Sequence, residues 1–388
     1  MMDMRIRVLR VISRMTVGGP AQQVTALMRH LDPEIYEQRL YTGFVAPGEA
    51  DHLELCAPDV DATRIEQLGR RAGPMDDLSA YRDLKQAVEE FRPDIVHTHA
   101  TKAGLIGRLA AGRVPYRVHS FHDHFPHGHV PPVKIRAMIQ AERALAGRTA
   151  RLVTVSERMR HELLAAGIGA REQYSVVPPG LDPPQPATDR AVARRLLGLP
   201  PDVPVVAYVG GVTRIRRPDR FAATARIIRR TLPSTHFVVC GDGDQIGVLR
   251  RALPHDLHLL GWRADAHLVF SAADLVLMTS DNASTPAALI EAGQYGVPVV
   301  STRVGSIAEV IIDGETGLLG RRDPADLAAR AIRVLTDELL GKRLGRRAKQ
   351  HTATRFCRTN LVESIDRLYL GLTGEIHEDH RRPALRLR

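Results

Sequence analysis

An α/β architecture with two doubly wound parallel sheets is predicted by three observations. Short runs rich in Val, Ile and Leu alternate with longer segments able to form helices. A Pro-rich stretch, "VVPPGLDPPQPATDR" (176–190), interrupts that alternation near the middle of the chain, and the same alternation then begins again. Proline fixes φ and removes a donor, so this stretch cannot join a central strand or a helix interior and reads as a linker. A chain of 388 residues exceeds one ordinary core, and 44% hydrophobic residues provide apolar material for two.

In the first half the strands are expected at 6–13, 39–45, 94–100, 116–122, 151–156 and 174–180. Segments such as "LSAYRDLKQAVEEF" and "SERMRHELLAAG" supply the helices between them. Strands that are apolar throughout are buried on both faces, which is the mark of a parallel sheet covered by crossover helices. Beyond the linker the strands are expected at 203–211, 235–243, 257–262, 273–280 and 297–305. The chain thus divides into a Rossmann-like domain over 1–182 and a second over 183–360. A closing helix covers 361–375, and a basic tail at 376–388 is expected to fray. Ligands of such sheets lie at the carboxyl ends of the strands, here in a cleft between the domains.

Composition removes several classes of function. The three cysteines, Cys56, Cys240 and Cys357, are far apart, which excludes a disulfide framework and a CxxC zinc site and fits a reducing cytoplasm. No apolar run approaches the ~18 residues of a membrane span. The charged start "MMDMRIRVLRVISRM" lacks the apolar region of a signal peptide, so a cytoplasmic protein is expected. The net charge of +10 is concentrated in "GKRLGRRAKQ" and "RRPALRLR". These are solvated helix faces and tail, or an attraction to an anionic surface. With 4% aromatic residues and no recognition motif, nucleic acid is not an expected partner.

Five segments could carry chemistry. In "TVGGPAQQV" (16–24), Gly18 and Gly19 follow the first strand and open a helix, where backbone can approach a ligand closely. "HSFHDHFPHGHV" holds His119, His122, His124, His127 and His129, with His97 and His99 on the preceding strand. A metal site would need a fuller ligand set than these histidines offer, and none is expected. The reading is that His122, at the strand's end, faces the cleft as a hydrogen-bond donor while the others are loop or surface residues. "VGGVTRIRRPDRF" (209–221) presents Arg214, Arg216 and Arg217, forks suited to a diphosphate. "CGDGD" (240–244) adds a second glycine turn. In "SDNASTPAALIEAG", Ser284 or Thr285 can cap a helix whose first turn holds Pro286, with Glu291 roughly one and a half turns inside.

Together these motifs resemble the retaining, nucleotide-sugar-dependent glycosyltransferases of the GT-B type (family 4, group 1). The resemblance spans nearly the whole chain and is most specific in "SDNASTPAALIEAGQYGVPVVSTRVGSIAEVIIDGETGLL". It implies a donor cleft lined mainly by the second domain, no cofactor, and a glycan or lipid-linked acceptor bound mainly by the first. By residue, it implies that Gly18 and Gly19 approach the donor phosphates and that His122 contacts the donor sugar. Arg216, with Arg214 beside it, takes the place of the family's phosphate-binding Lys. Glu291 matches the second acid of an E-x7-E pattern and would hold the ribose. Ser284, Thr285 and Pro286 match the turn that grips sugar and phosphate, and Trp262 and Arg263 border the nucleobase.

The chain departs from that pattern at three positions. Gly211 stands where the family has an Arg, Arg216 where it has a Lys, and Ala283 where the first acid would be. A charged contact of that kind is worth roughly 1.5–3 kcal/mol, so two further readings stay open. One is a degenerate member that binds nucleotide sugar or a partner transferase without turnover. The other is a nucleotide-sugar 2-epimerase of the same two-domain fold. The segment 130–148 mixes apolar residues with Lys134, Arg136, Arg143 and Arg148. It is a core-packing helix or a contact with an anionic membrane, which would place the protein at the inner face of the cell membrane.

Overall fold

The computed structural model describes residues 5–69, 73–124, 131–252 and 257–381. His127, His129 and the end of the basic tail (382–388) lie outside the described residues. The chain divides into two compact units. The first comprises the chain to Ala46, Asp51–Gly180 and the residues from Thr359 on; the second comprises Pro47–Ala50 and Leu181–Arg358.

The first unit is a sheet of seven strands: β1 (Ile6–Arg14), β2 (Tyr36–Gly43), β3 (Thr63–Arg64), β4 (Ile95–His99), β5 (Tyr116–Phe121), β6 (Arg151–Thr154) and β7 (Tyr174–Val176). Their order is β3-β2-β1-β4-β5-β6-β7, and every pairing is parallel. Strand β1 shows why a run without polar alternation is a strand here. Ile6 and Val8 pack into one core, and Leu9 and Val11 pack into another on the opposite face. The side-chain period of two feeds both layers of helices at once.

The second unit repeats the plan with six strands: β8 (Val205–Val209), β9 (His236–Cys240), β10 (Leu257–Gly261), β11 (Leu275–Met278), β12 (Val299–Thr302) and β13 (Leu318–Gly320). They run β10-β9-β8-β11-β12-β13, again all parallel. Val205 and Ala207 face one core while Val206 and Tyr208 face the other. The strand order reverses beside β8 here and beside β1 in the first unit, and it is outside the strand ends at such switch points that sheets of this kind bind ligands.

Two edge strands were not foreseen, β3 of two residues and β13 of three. Such short segments carry no periodicity to detect. The final helix, Arg358–Arg381, follows the second unit in sequence but packs on the first sheet. Leu361, Ile365, Tyr369 and Leu372 lie along one face at helical spacing and bury there. Tyr369 ends inside the core, where its hydroxyl accepts from Arg10 (3.1 Å) and lies 2.5 Å from His97 Nδ1. Arg10 is fully buried and also donates to Gln38. Tyr36 donates to Asp366 on the same helix at 2.7 Å. This polar bolt inside an apolar layer fixes one seating of the helix, because any slip would strand a buried guanidinium.

Candidate active site

At the carboxyl ends of the second sheet, two glycine turns close against each other. Gly210 donates to the Cys240 carbonyl (2.9 Å), Val212 to Asp242 (2.9 Å) and Gln245 to Val212 (3.0 Å). A Cβ on Gly241 would collide with the Gly210 carbonyl, and one on Gly243 with that of Val212. The glycines of "GDG" are therefore explained by backbone packed on backbone, and Gly210 by its φ of 124°.

Beyond them the chain makes a tight turn, Arg214–Arg216, and passes through Arg217 at a φ of 55°. A non-glycine residue held there stores strain, which the surroundings must over-determine. Asp281 does this. It accepts from Arg217 (3.0 Å) and Arg220 (2.7 Å), and its amide donates to the Ile215 carbonyl (2.9 Å). Burial works to raise the Asp281 pKa, but the two arginines outweigh it and hold the carboxyl below its ordinary value. Thr279 adds hydrogen bonds to the carbonyls of Arg216 and Arg217. The loops after β8 and β11 are thus one clamped body at the switch point.

The clamp divides the four arginines of this region. Arg217 and Arg220 are consumed by Asp219 and Asp281. Arg216 is half-buried, with Nη1 3.5 Å from Ser280 Oγ and 3.7 Å from Met278 Sδ, and has no ion pair among the described residues. Arg214, exposed on the same turn, also has none there. Two cations are left uncompensated where the strand order reverses.

The helix after β11 is Ala287–Gln294, and here one expectation is corrected. Pro286 itself is the N-cap, and no side chain caps the helix, neither Ser284 nor Thr285. Of the first-turn amides, that of Leu289 donates to the Pro286 carbonyl (3.1 Å), while those of Ala287 and Ala288 have no partner from this helix or from a capping side chain among the described residues. Glu291 is half-buried on it, and its charge reaches Cys240 at the end of β9 and Tyr295. Burial, the larger cause, together with that charge pushes the Cys240 thiol up to about 12. After β10, the Trp262 indole N–H is buried without a partner among the described residues, and its ring lies 3.8 Å from where a Cβ on Gly211 would sit. Arg263 is engaged with Asp265 through two bonds of 2.7 Å, so its charge is already compensated within the loop.

Ala283 is 8% exposed and packs into the apolar core cluster of this unit. Its carbonyl accepts from Ser306 (3.0 Å) and lies directly against Gly305, whose φ is 50°. A side chain on Gly305 would strike that carbonyl and the Asn282 amide oxygen. Gly305→Ala is expected to lower unfolding free energy by about 2 kcal/mol or more, from strain and overpacking together. Urea denaturation checks this, and an unchanged midpoint would show that the 281–286 turn is softer than its packing implies.

In the first unit, Gly18 (φ 153°) precedes the helix Gly19–His30 after β1. Across the switch point, Ala100 (φ 64°, ψ 168°) precedes the helix Thr101–Ala110 after β4. That backbone region is almost confined to glycine, so Ala100 marks a strained corner that no sequence signal announces. The histidines require the largest correction. His97, His99 and His119 are buried rather than at the surface, and His124 is buried beside Glu162 (2.6 Å). His122 itself is 4% exposed. Its Nε2 lies 3.0 Å from His99 Nδ1, and the His97 and His99 rings stack at 4.2 Å. Burial lowers the His122 pKa to about 4 and holds His97, His99 and His119 well below the ordinary range.

Comparison with known proteins shows the family. The family model described as glycosyl transferases group 1 matches residues 203–337, and the glycosyl transferase 4-like domain matches 18–180. The chain belongs to the group 1 glycosyltransferases. A D-inositol 3-phosphate glycosyltransferase of Streptomyces bingchenggensis is 31% identical over 378 residues, covering 87% of this chain and 81% of that one. A galactosyltransferase of Escherichia coli that acts on GlcNAc-diphosphoundecaprenol is 24% identical, covering 81% of this chain and 84% of its own. Among solved structures, HepE of Anabaena in complex with UDP-glucose superposes with a TM-score of 0.78 at 19% identity, over 94% of this chain and 99% of that one. Sucrose-phosphate synthase of Thermosynechococcus elongatus gives 0.77 at 18%, over 95% and 100%. The fold of the enzyme is therefore GT-B, and its activity is glycosyl transfer.

Other features of this glycosyltransferase lie apart from the switch points. A broad concavity lined by Asp189, Arg190, Asp274 and Lys342 is at the opposite, amino-terminal edge of the second sheet and contains none of the candidate donor-site residues. Among the described residues, no group of three His, Cys, Asp or Glu could hold a metal ion. No helix among them is long and apolar enough to cross a membrane.

Proposed function

We propose that the enzyme transfers a sugar from a nucleotide diphosphate to a glycan or lipid-linked acceptor, with retention of configuration. One observation carries the donor assignment: Arg216 stands uncompensated at the switch point, on a turn clamped to the loop that leads into an uncapped helix start. Fixed cations and amides of this kind stabilise a departing diphosphate without reorganising during reaction. In this reading Arg216 and Arg214 hold the phosphates with the backbone of Ser284, Thr285 and Pro286, and Gly18 and Gly19 are assigned to the phosphates by likeness to the family alone. Glu291 takes the ribose hydroxyls, Trp262 borders the base, and His122 meets the sugar. The leaving phosphate accepts the acceptor's proton, so no carboxylate pair is required. The UDP and UDP-glucose complexes of HepE support a uridine donor.

The test is a panel of UDP-, GDP- and ADP-sugars scored by donor hydrolysis and by thermal shift, since a bound donor stabilises the fold by mass action. Neither binding nor hydrolysis with any member would overturn the proposal. A second reading, binding without turnover, is favoured by Ala283 and by the engagement of Asp281 with two arginines, which leaves that acid unable to substitute. Binding without transfer would establish it. Gly211→Arg is a further probe: a Cβ there meets only ordinary contacts at 3.7 and 3.8 Å. The added cation is expected to lower the donor KM by about tenfold with an unchanged melting temperature, on the scale of one charge-assisted hydrogen bond.

We also propose contact with an anionic membrane through the helix Pro132–Ala146. Val133 is 71% exposed beside Lys134 and Arg136, and Leu109 on the neighbouring helix is 49% exposed. The two helices are joined by a buried Arg108–Glu142 pair at 2.6 Å. Absence of sedimentation with anionic vesicles at low salt would remove this contact.

A further inference from the structure

We propose that His99 is a positioning residue: its hydrogen bond to His122 decides which ring nitrogen of His122 carries the proton, and so presents Nδ1–H as the donor to an oxygen of the bound nucleotide sugar. This rests on the reading above that His122 meets the donor substrate.

Arg10 can only donate. Its Nη1 lies 3.2 Å from His97 Nδ1, so that nitrogen must accept. The neutral His97 ring then carries its proton on Nε2 and donates to Ser120 Oγ at 2.8 Å. The tautomer of His97 is settled, and its face is stacked on His99. A buried guanidinium next to this stack opposes any further positive charge, so His99 and His122 share their 3.0 Å bond as two neutral rings. Two arrangements are possible. If His99 Nδ1–H donates, His122 is left with a proton on Nδ1. If His122 Nε2–H donates, His99 is left with a proton on Nε2.

Both outer nitrogens, His99 Nε2 and His122 Nδ1, are buried without a partner among the described residues. A substrate oxygen at His122 Nδ1 breaks the symmetry. In the first arrangement the ligand accepts from Nδ1–H, and the group left over is a lone pair on His99. In the second, the group left over is a buried N–H on His99. Orphaned donors are the rarer and more costly kind in folded proteins, so the first arrangement is selected when the substrate binds. The hydrogen bond on one ring nitrogen fixing the function of the other is a general property of histidine.

The test compares His99→Leu with His99→Asn, using the nucleotide sugar identified as donor by the panel. Asparagine keeps a donor near the place of Nδ1, and leucine keeps only bulk. His99→Leu is expected to lower kcat by about 10- to 100-fold, less than the loss of a transition-state donor outright because His122 itself remains, with the donor KM within threefold. His99→Asn is expected to recover most of that loss. Nitrogen-15 spectra of the wild-type enzyme with donor, assigned by difference from His122→Gln, should show His122 protonated on Nδ1. A spectrum with the proton on Nε2 overturns the proposal, and it requires no His99 variant to fold. Equal activity of the leucine and asparagine variants also overturns it. If His122→Gln itself leaves kcat unchanged, the failure lies in the assignment of His122 to the donor site.

Discussion

Arg216→Ala is expected to lower kcat/KM for nucleotide-sugar transfer by about 100- to 1000-fold, the range seen when one preorganised donor to developing negative charge is removed. The expectation follows from how the four arginines of the turn are spent. Arg217 and Arg220 hold Asp281, and Arg217 also holds Asp219, so removing either would damage the clamp itself. Arg216 has no carboxylate to release among the described residues, which means its loss should leave the fold intact. Steady-state kinetics alongside an unchanged melting temperature checks this. Arg216→Lys should keep part of the effect, because the charge survives while the two-pronged geometry does not. A loss below about fivefold would place the leaving-group cation elsewhere, with Arg214 next to be tested.

Acidification should unfold the first unit. In an unfolded chain a histidine takes up its proton near ~6.5, whereas His122 and His52 do so near 4 in the fold. Between those values the unfolded state binds more protons, so stability is fully present above about 6.5 and falls as pH falls toward 4. Each of these two groups accounts for roughly 3 kcal/mol across that window, and His97, His99 and His119 act in the same direction. Arg10 and Arg108 face the stack and add to the repulsion. Against a typical total of about 5–15 kcal/mol, this is decisive. The urea midpoint should drop steeply between pH 7 and 5, and a midpoint constant over that range would show that water enters the stack.

The strands were legible because a parallel strand covered on both faces must be apolar throughout, as Val205–Val209 and Leu275–Met278 are. The linker was legible because Pro183, Pro184 and Pro186 exclude regular structure locally. Much of the candidate site was legible for a similar reason. Glycines that let backbones touch, and a helix opening after a strand, are local necessities that leave local signatures. Gly210, Gly241 and the helix Ala287–Gln294 are where the motifs suggest.

The remainder depended on long-range packing. Nothing near Asp281 in sequence shows that it is committed to Arg217 and Arg220, some sixty positions away. The histidine segment looked like a surface loop because clustered imidazoles are usually solvated. The burial of His97, His99, His119 and His122 follows from strand pairing that sets His97 against Val118 and His99 against Ser120, and from a final helix that returns to the first sheet. Sequence alone determined the α/β repeat, the irregular proline-rich stretch and the glycine turns at the strand ends, since each follows from backbone chemistry within a few residues. Tertiary structure alone decided which charges are spent and which remain available, because a charge is neutralised by its neighbours in space.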